Sequence, residues 1–186
     1  MDDLSLDTRD GLPEHLRVLA RLYPRDTWTG HPNFGGLTAF WLERHLNFRQ
    51  VLDTLIDGSE RHLDRHDPRY GHEMQRYTSF FLNQLHHHHM IEDQHYFPQF
   101  IPLDSRLEQG FEILDRDHHA LDGHIHGLAE ASNAVLKLLA AGEDEKKAAD
   151  LLLRHQRDFK VFLNRHLEDE EEIIVPVILE YGADKE

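Results

Sequence analysis

No cysteine occurs among the 186 residues, which excludes disulfides, thiolate metal sites and thiol catalysis together. Basic residues are also scarce, with 20 Lys and Arg against 35 acids and a formal charge of −15. Without a basic stripe to displace counterions from phosphates, nucleic acid is excluded as a partner. An anionic membrane surface is excluded on the same ground. No apolar run approaches the roughly 20 residues that span a bilayer. The N-terminus, MDDLSLDTRDG, is acidic and polar, unlike a secretory signal, so a soluble cytoplasmic protein is expected. Sustained strand alternation is missing as well.

What the chain has in excess is histidine, 17 residues of it. With no cysteine, its metal ligands are imidazole and carboxylate, a pairing that suits iron, manganese or zinc better than copper(I) or calcium. Four of the histidines stand together in HHHHMIEDQHYFP, residues 86–98.

Helical periodicity runs from about residue 37 onward, and breakers interrupt it at DRHDPRYG, at FPQFIPLDSRLEQG and at AAGEDEK. Four long helices are therefore expected, over 37–65, 70–97, 107–140 and 144–180. Links this short make neighbours antiparallel, so the expected fold is all-α, an up-down-up-down four-helix bundle at 37–180. A short N-terminal arm (1–36), with an amphipathic helix at 12–23, precedes it, and a tail (181–186) follows.

At about 100° per residue, each helix places one histidine at the centre of its apolar stripe. Trp41, Leu42, Phe48, Leu52 and Ile56 centre on His45, and Tyr77, Phe81, Leu85 and Ile91 centre on His88. Phe111, Leu114, Leu121 and Ile125 centre on His118, and Leu152, Phe159, Phe162, Leu163, Ile173 and Val177 on His166. One turn beyond three of them stand Glu92, Asp122 and Glu170. By this reading His86, His87 and His89 are surface or flank residues. If the four central histidines share one layer, each turn should fall midway between successive ones. The midpoints are 66.5, 103 and 142, beside Asp67-Pro68, beside Pro102 and on Gly142.

The expected layer thus holds His45, His88, His118 and His166 with the carboxylates Glu92 and Glu170. Burying two carboxylates beside four imidazoles is very costly unless cations compensate, and the donors divide naturally over two metals that share both carboxylates. His155 lies on the stripe of His166 but about 16 Å away, and is expected to pair with Tyr77 in the core opposite Ala129. His95 and His31 are weaker candidates for the mouth of the site or its outer contacts. Phe48, Leu52, Phe81, Leu85, Leu121, Ile125, Phe159, Phe162 and Leu163 are expected to form an apolar wall.

HLNFR at 45–49, HHMIEDQHYFP at 88–98, DHHALD at 117–122 and HLEDEEEIIVP at 166–176 resemble the hemerythrin-like HHE cation-binding domains. The resemblance covers roughly 37–180 and implies two iron ions, ferrous or ferric, bridged by carboxylates and open to an oxo or hydroxo bridge. His45 and His88 look like ligands of one iron, His118 and His166 like those of the other, with Glu92 and Glu170 bridging. Glu171, at i+5, is the alternative to Glu170. Zinc and manganese are the other metals this donor set takes. One position departs from the oxygen carriers of the family: the second histidine of their H-x-x-x-H is here Asp122. Either Asp122 supplies an oxygen ligand or a coordination position stays open, and both readings weaken reversible oxygen carriage. The resemblance implies binding of oxygen, nitric oxide or peroxide for sensing, storage or protection, with a protein partner or a second copy needed to pass on a signal. The competing readings are a di-iron oxidase, peroxidase or nitric oxide reductase, an iron storage or delivery protein of the iron–sulfur repair type, and a structural bundle with zinc or no metal.

Overall fold

The computed structural model describes residues 4–183. No strand occurs among them, and six helices follow one another: α1 (Val18–Leu22), α2 (Gly36–Asp64), α3 (Tyr70–Ile91), α4 (Phe97–Phe100), α5 (Glu108–Ala141) and α6 (Lys146–Tyr181). The long helices α2, α5 and α6 begin and end within a few residues of the expected limits, whereas α3, expected to run to 97, stops at Ile91 where a π-helical turn takes over. The expected arm helix is broken in two, a 3-10 turn at Glu14–Leu16 and then α1, with Leu12, Leu16 and Leu19 buried.

Each break has a local cause. After α2, the Asp67 carboxylate accepts the amide N–H of Arg69 at 2.9 Å, which turns the chain into α3. α5 ends where Gly142 takes φ = 68°, a left-handed conformation that glycine adopts without a Cβ penalty. Asp144 then accepts the amide of Lys146 at 3.1 Å, satisfying an orphan donor at the start of α6. Between α3 and α5 the chain passes through a π-helical turn, Glu92–Tyr96, then α4 and two 3-10 turns. Asp104 organises the last of these by accepting the Arg106 amide at 3.0 Å.

The result is an all-α helical bundle. By the density of its contacts the chain divides into two compact units, one of Met1–Leu46, His89–His119 and Asn164–Glu186, the other of Asn47–His88 and Ala120–Leu163. Each long helix contributes a segment to both.

In the first unit the arm packs onto the helices. Leu12, Leu16 and Leu19 join Trp41, Phe97, Phe100, Phe111, Leu114, Ile173 and Val177 in one apolar cluster. Trp28 packs against Val175 and Leu179 while its indole N–H donates to the Tyr23 carbonyl at 2.8 Å. In the second unit Phe48, Leu52, Phe81, Leu85, Leu121, Phe159 and Leu163 are buried, each worth roughly 1.5–3 kcal/mol. Phe81 stands edge-on to Phe48 and to Phe159, with centroids 6.2 and 5.5 Å apart. Of the expected wall only Ile125 and Phe162 are partly rather than fully buried.

The expected Tyr77–His155 pair does not form. His155 is exposed and lies 3.8 Å from where a Cβ on Gly127 would sit, and Tyr77 is partly buried beneath the Arg76 guanidinium. The buried face leans one residue further round α6, so Gln156 is the residue fully enclosed, and Thr78 and Ser132 are also buried in this unit.

Candidate metal centre

Within the first unit, α3 and its π turn, α5 and α6 bring His89, His118 and His166 together. Each offers a ring nitrogen, and these atoms all lie within 4.8 Å of one another. His89 and His118 stack with centroids 4.1 Å apart, and His166 stands edge-on to both, at 5.3 and 4.9 Å. A second set, His45, Glu92 and Glu170, offers donor atoms equally close. All six side chains are buried.

The orientation of the rings is consistent. His45 Nε2 and His166 Nε2 face Glu170 Oε2 at 3.6 and 3.5 Å, and His118 Nε2 faces Glu92 Oε2 at 3.6 Å. These separations are too long for hydrogen bonds, and Nε2 of His118 and of His166 is buried without any hydrogen-bond partner. The other nitrogen of each ring holds an outer carboxylate: His45 Nδ1 with Glu171 Oε1 at 2.9 Å, His118 Nδ1 with Asp93 Oδ1 at 2.7 Å, and His166 Nδ1 with Asp117 Oδ2 at 3.3 Å. A carboxylate on the far nitrogen fixes the tautomer, with the proton on Nδ1 and the lone pair of Nε2 turned inward. Metal-ligating histidines are arranged in this way.

The electrostatics show what is missing without a cation. Burial pushes the Glu92 carboxyl up to about 8. Glu170 rises well above the ordinary range, first through burial and then through the charge of Glu92. Burial likewise drives His166 down to about 3. Both kinds of shift refuse charge in a dry interior, and a cation among these donors reverses the balance for the carboxylates. The residues present therefore fit a metal: inward lone pairs, buried carboxylates and no thiolate.

The sequence-derived site needs three corrections. The first concerns His89, expected on a flank but buried at 4 % exposure. The buried stripe of α3 runs through Met74, Thr78, Phe81, Leu85 and Glu92. About 100° per residue places His88 and His89 on either side of its midline at nearly equal angles. Reading the stripe through Tyr77 and Ile91, both only partly buried, favoured His88 alone. His88 itself is partly buried, one turn before Glu92 on the same helix, with its ring 5.2 Å from that of Phe48. His86 and His87 are exposed, as expected.

The second correction is Asp122, which is exposed. The stripe of α5 is centred on Leu114, Leu121 and Leu128, all fully buried, and Asp122 lies about 100° from that midline.

The third concerns His95 and His31. The π turn at Glu92–Tyr96 widens the helix by a residue, so Tyr96 rather than His95 turns inward, tilted against Trp41 at 4.9 Å, and His95 is exposed. His31 stays in its loop, edge-on to Tyr23 at 5.2 Å, and its Nδ1 accepts the Asn33 amide at 3.1 Å. Of the two acids considered for the bridge, Glu170 is fully buried facing the imidazoles, and Glu171 takes the outer position on His45.

Several partners had gone unrecognised. Arg9 is 7 % exposed. Its Nε donates to Asp169 at 2.8 Å, its Nη1 to Asp117 at 2.7 Å, and its Nη2 also to Asp117. Burial raises the Asp117 carboxyl, but the hydrogen bonds from Arg9 and His166 outweigh it and hold the group below its usual range. Arg25 Nη1 donates to Glu171 at 2.6 Å. Asp93, Asp117 and Glu171 each sit beside a named site residue in sequence, so adjacency was a usable signal for them. Arg9 and Arg25 offered none, because only the folded arm brings them there.

Buried imidazoles turned onto shared carboxylates inside a helical bundle define a cation-binding domain. The family model for the hemerythrin HHE cation binding domain matches residues 36–178, and the chain belongs to that family. No match was found among curated proteins or among solved structures.

Proposed function

We propose that the chain is a cytoplasmic non-haem di-iron protein that binds oxygen, nitric oxide or peroxide for sensing, storage or protection against oxidative and nitrosative stress. The observation that carries this reading is the inward lone pair on Nε2 of His118 and His166, each with its Nδ1 on a carboxylate. In this reading His89, His118 and His166 hold one iron, His45 and His88 the other, and Glu92 and Glu170 are shared. His89 supplies the fifth imidazole that Asp122 had seemed to replace, which removes the main argument against reversible oxygen carriage.

Bound iron would supply a one-electron redox couple and an open coordination position for a small ligand. The chain's own part is to hold the donors dry and oriented. Asp93, Asp117 and Glu171 keep each Nδ1 protonated, and Trp41, Phe97 and Phe100 exclude water from the unit that contains the donors. Ferritin-like di-iron enzymes use two E-x-x-H pairs. The single such string here, at 92–95, ends in exposed His95, so a turnover enzyme of that type is not favoured. No described helix is long and apolar enough to cross a membrane.

The test is to load the protein with ferrous iron under anaerobic conditions and titrate it with oxygen and with nitric oxide while following the visible spectrum. Saturable, stoichiometric and reversible spectral change is expected. Sustained consumption of ligand and reductant would replace this reading with the enzymatic one.

A further inference from the structure

The residues matched by the family model begin at 36, yet the arm before them reaches the outer contacts of the donor cluster at two points. His166 and His45, the two rings whose Nε2 faces Glu170, each give Nδ1 to a carboxylate, Asp117 and Glu171 respectively. An arm arginine grips each of those carboxylates. Arg9 takes Asp117 through two nitrogens and Asp169 through a third, and Arg25 takes Glu171. Asp169 is held in turn by Arg165, whose other nitrogen donates to the Asp10 carbonyl of the arm at 2.6 Å. The third ring, His118, rests on Asp93, which is one-third exposed.

We propose that Arg9 and Arg25 are positioning residues of the metal centre, acting through Asp117 and Glu171 to orient His166 and His45 and to set how strongly those rings donate. This inference rests on the metal-binding reading above. A carboxylate hydrogen-bonded to the far nitrogen makes the ligating nitrogen more basic. A guanidinium on that carboxylate draws charge back and fixes its plane through paired hydrogen bonds. The arm therefore weakens donation by two imidazoles, one in each set of ligands, and so favours the ferrous state. His118, without an arm arginine, is the internal reference.

Arg17 separates this role from mere attachment of the arm. It pairs with Glu172 at 3.0 Å, and neither residue touches a histidine of the cluster among the described contacts. The experiment compares full-length, iron-loaded wild type with Arg25→Met, Arg25→Lys, Arg9→Met, Arg9→Lys and Arg17→Met by reduction potential, visible spectrum and iron affinity. Arg25 is about half exposed, so Arg25→Met keeps the assay informative if Arg9→Met fails to fold. The expected result for Arg25→Met is an approximately tenfold rise in the ferric-to-ferrous ratio at fixed poise, about 59 mV for a one-electron couple. Arg25→Lys should recover most of that shift. Arg9→Met, where folded, should also lose iron affinity by about 10–100-fold, while Arg17→Met should match wild type. Unchanged potential and spectrum in Arg25→Met, or an equal shift in Arg17→Met, would overturn this inference and leave the metal reading intact. Wild type that takes up no metal would overturn both.

Discussion

Two histidine clusters, one in each unit, look alike by distance and differ in what their nitrogens are free to do. In the second unit His62, His66 and Glu145 also offer donor atoms within 4.8 Å of one another. There, however, His62 Nδ1 accepts the Asp67 amide at 3.2 Å, so Nε2 carries the proton it donates to Glu145 at 2.8 Å. Both nitrogens are spent, and the ring lies flat on Tyr70 with centroids 4.1 Å apart. In the first unit His118 and His166 spend only Nδ1 and keep an unpartnered Nε2. Proximity of His and Glu is therefore a poor criterion for a metal site. The availability of an inward lone pair is a better one, and it separates a structural clasp from a coordination shell.

The sharpest way to break that comparison is to remove one partner from each cluster. Glu170→Gln should abolish metal binding and leave the metal-free fold as stable as wild type or more so, because a buried carboxylate leaves the interior. His62→Ala should retain full metal content and cost about 1–3 kcal/mol through the unpaired Glu145 and Asp67 groups, measured by denaturant unfolding. If His62→Ala lost metal in step with stability, the second cluster would have been misread.

Next in size is Arg9→Met, which leaves Asp117 and Asp169 buried without their cation. Removing one partner of a buried pair costs about 3–5 kcal/mol, so the melting temperature of metal-free protein should fall sharply. A change as small as that of a surface pair, about 0–1 kcal/mol, would show that the arm is not seated on these carboxylates.

A smaller effect is the pH dependence of the metal-free protein. Glu92 has its folded value raised from 4.5 to about 8. Its contribution to stability is therefore complete below 4.5 and is lost as pH rises toward 8. His166 has its folded value lowered from 6.5 to about 3. Stability thus falls as pH drops from 6.5 toward 3, where the unfolded chain binds the proton more readily. From these two groups, maximal stability falls between about pH 4.5 and 6.5, and added metal should flatten the alkaline limb. Denaturant midpoints across pH 4–9, with and without metal, check this. A metal-free midpoint that rises steadily to pH 9 would contradict it.

The smallest expected effect is that of Asp122→Asn. With its side chain in solvent, metal content should be unchanged and stability within about 0.5 kcal/mol of wild type. Loss of one metal would return Asp122 to the ligand set.

Periodicity and breakers made the four long helices legible from sequence, because Pro68, Pro102 and Gly142 punctuate strong apolar stripes. They also placed His45, Glu92, His118, His166 and Glu170 on the buried face. The failures share a cause: a stripe read at a fixed 100° per residue has no midline until its neighbours are known. His88 and His89 straddle that midline, so one looked central and the other peripheral. Asp122 and His155 fell on the wrong side of stripes that lean toward Leu121 and Gln156. His95 was displaced by a π turn, for which EDQHY offered no local signal. Arg9 was out of reach for a different reason: its contacts lie 108 and 160 residues along the chain, and only the folded arm brings them together.

The most direct test of the central claim is the metal content of tag-free protein reconstituted anaerobically with ferrous iron, comparing wild type with His89→Ala and Glu170→Gln. The account predicts two irons per chain in wild type, fewer in His89→Ala and none in Glu170→Gln. Wild type without bound metal, or Glu170→Gln that retains the wild-type amount, would contradict it.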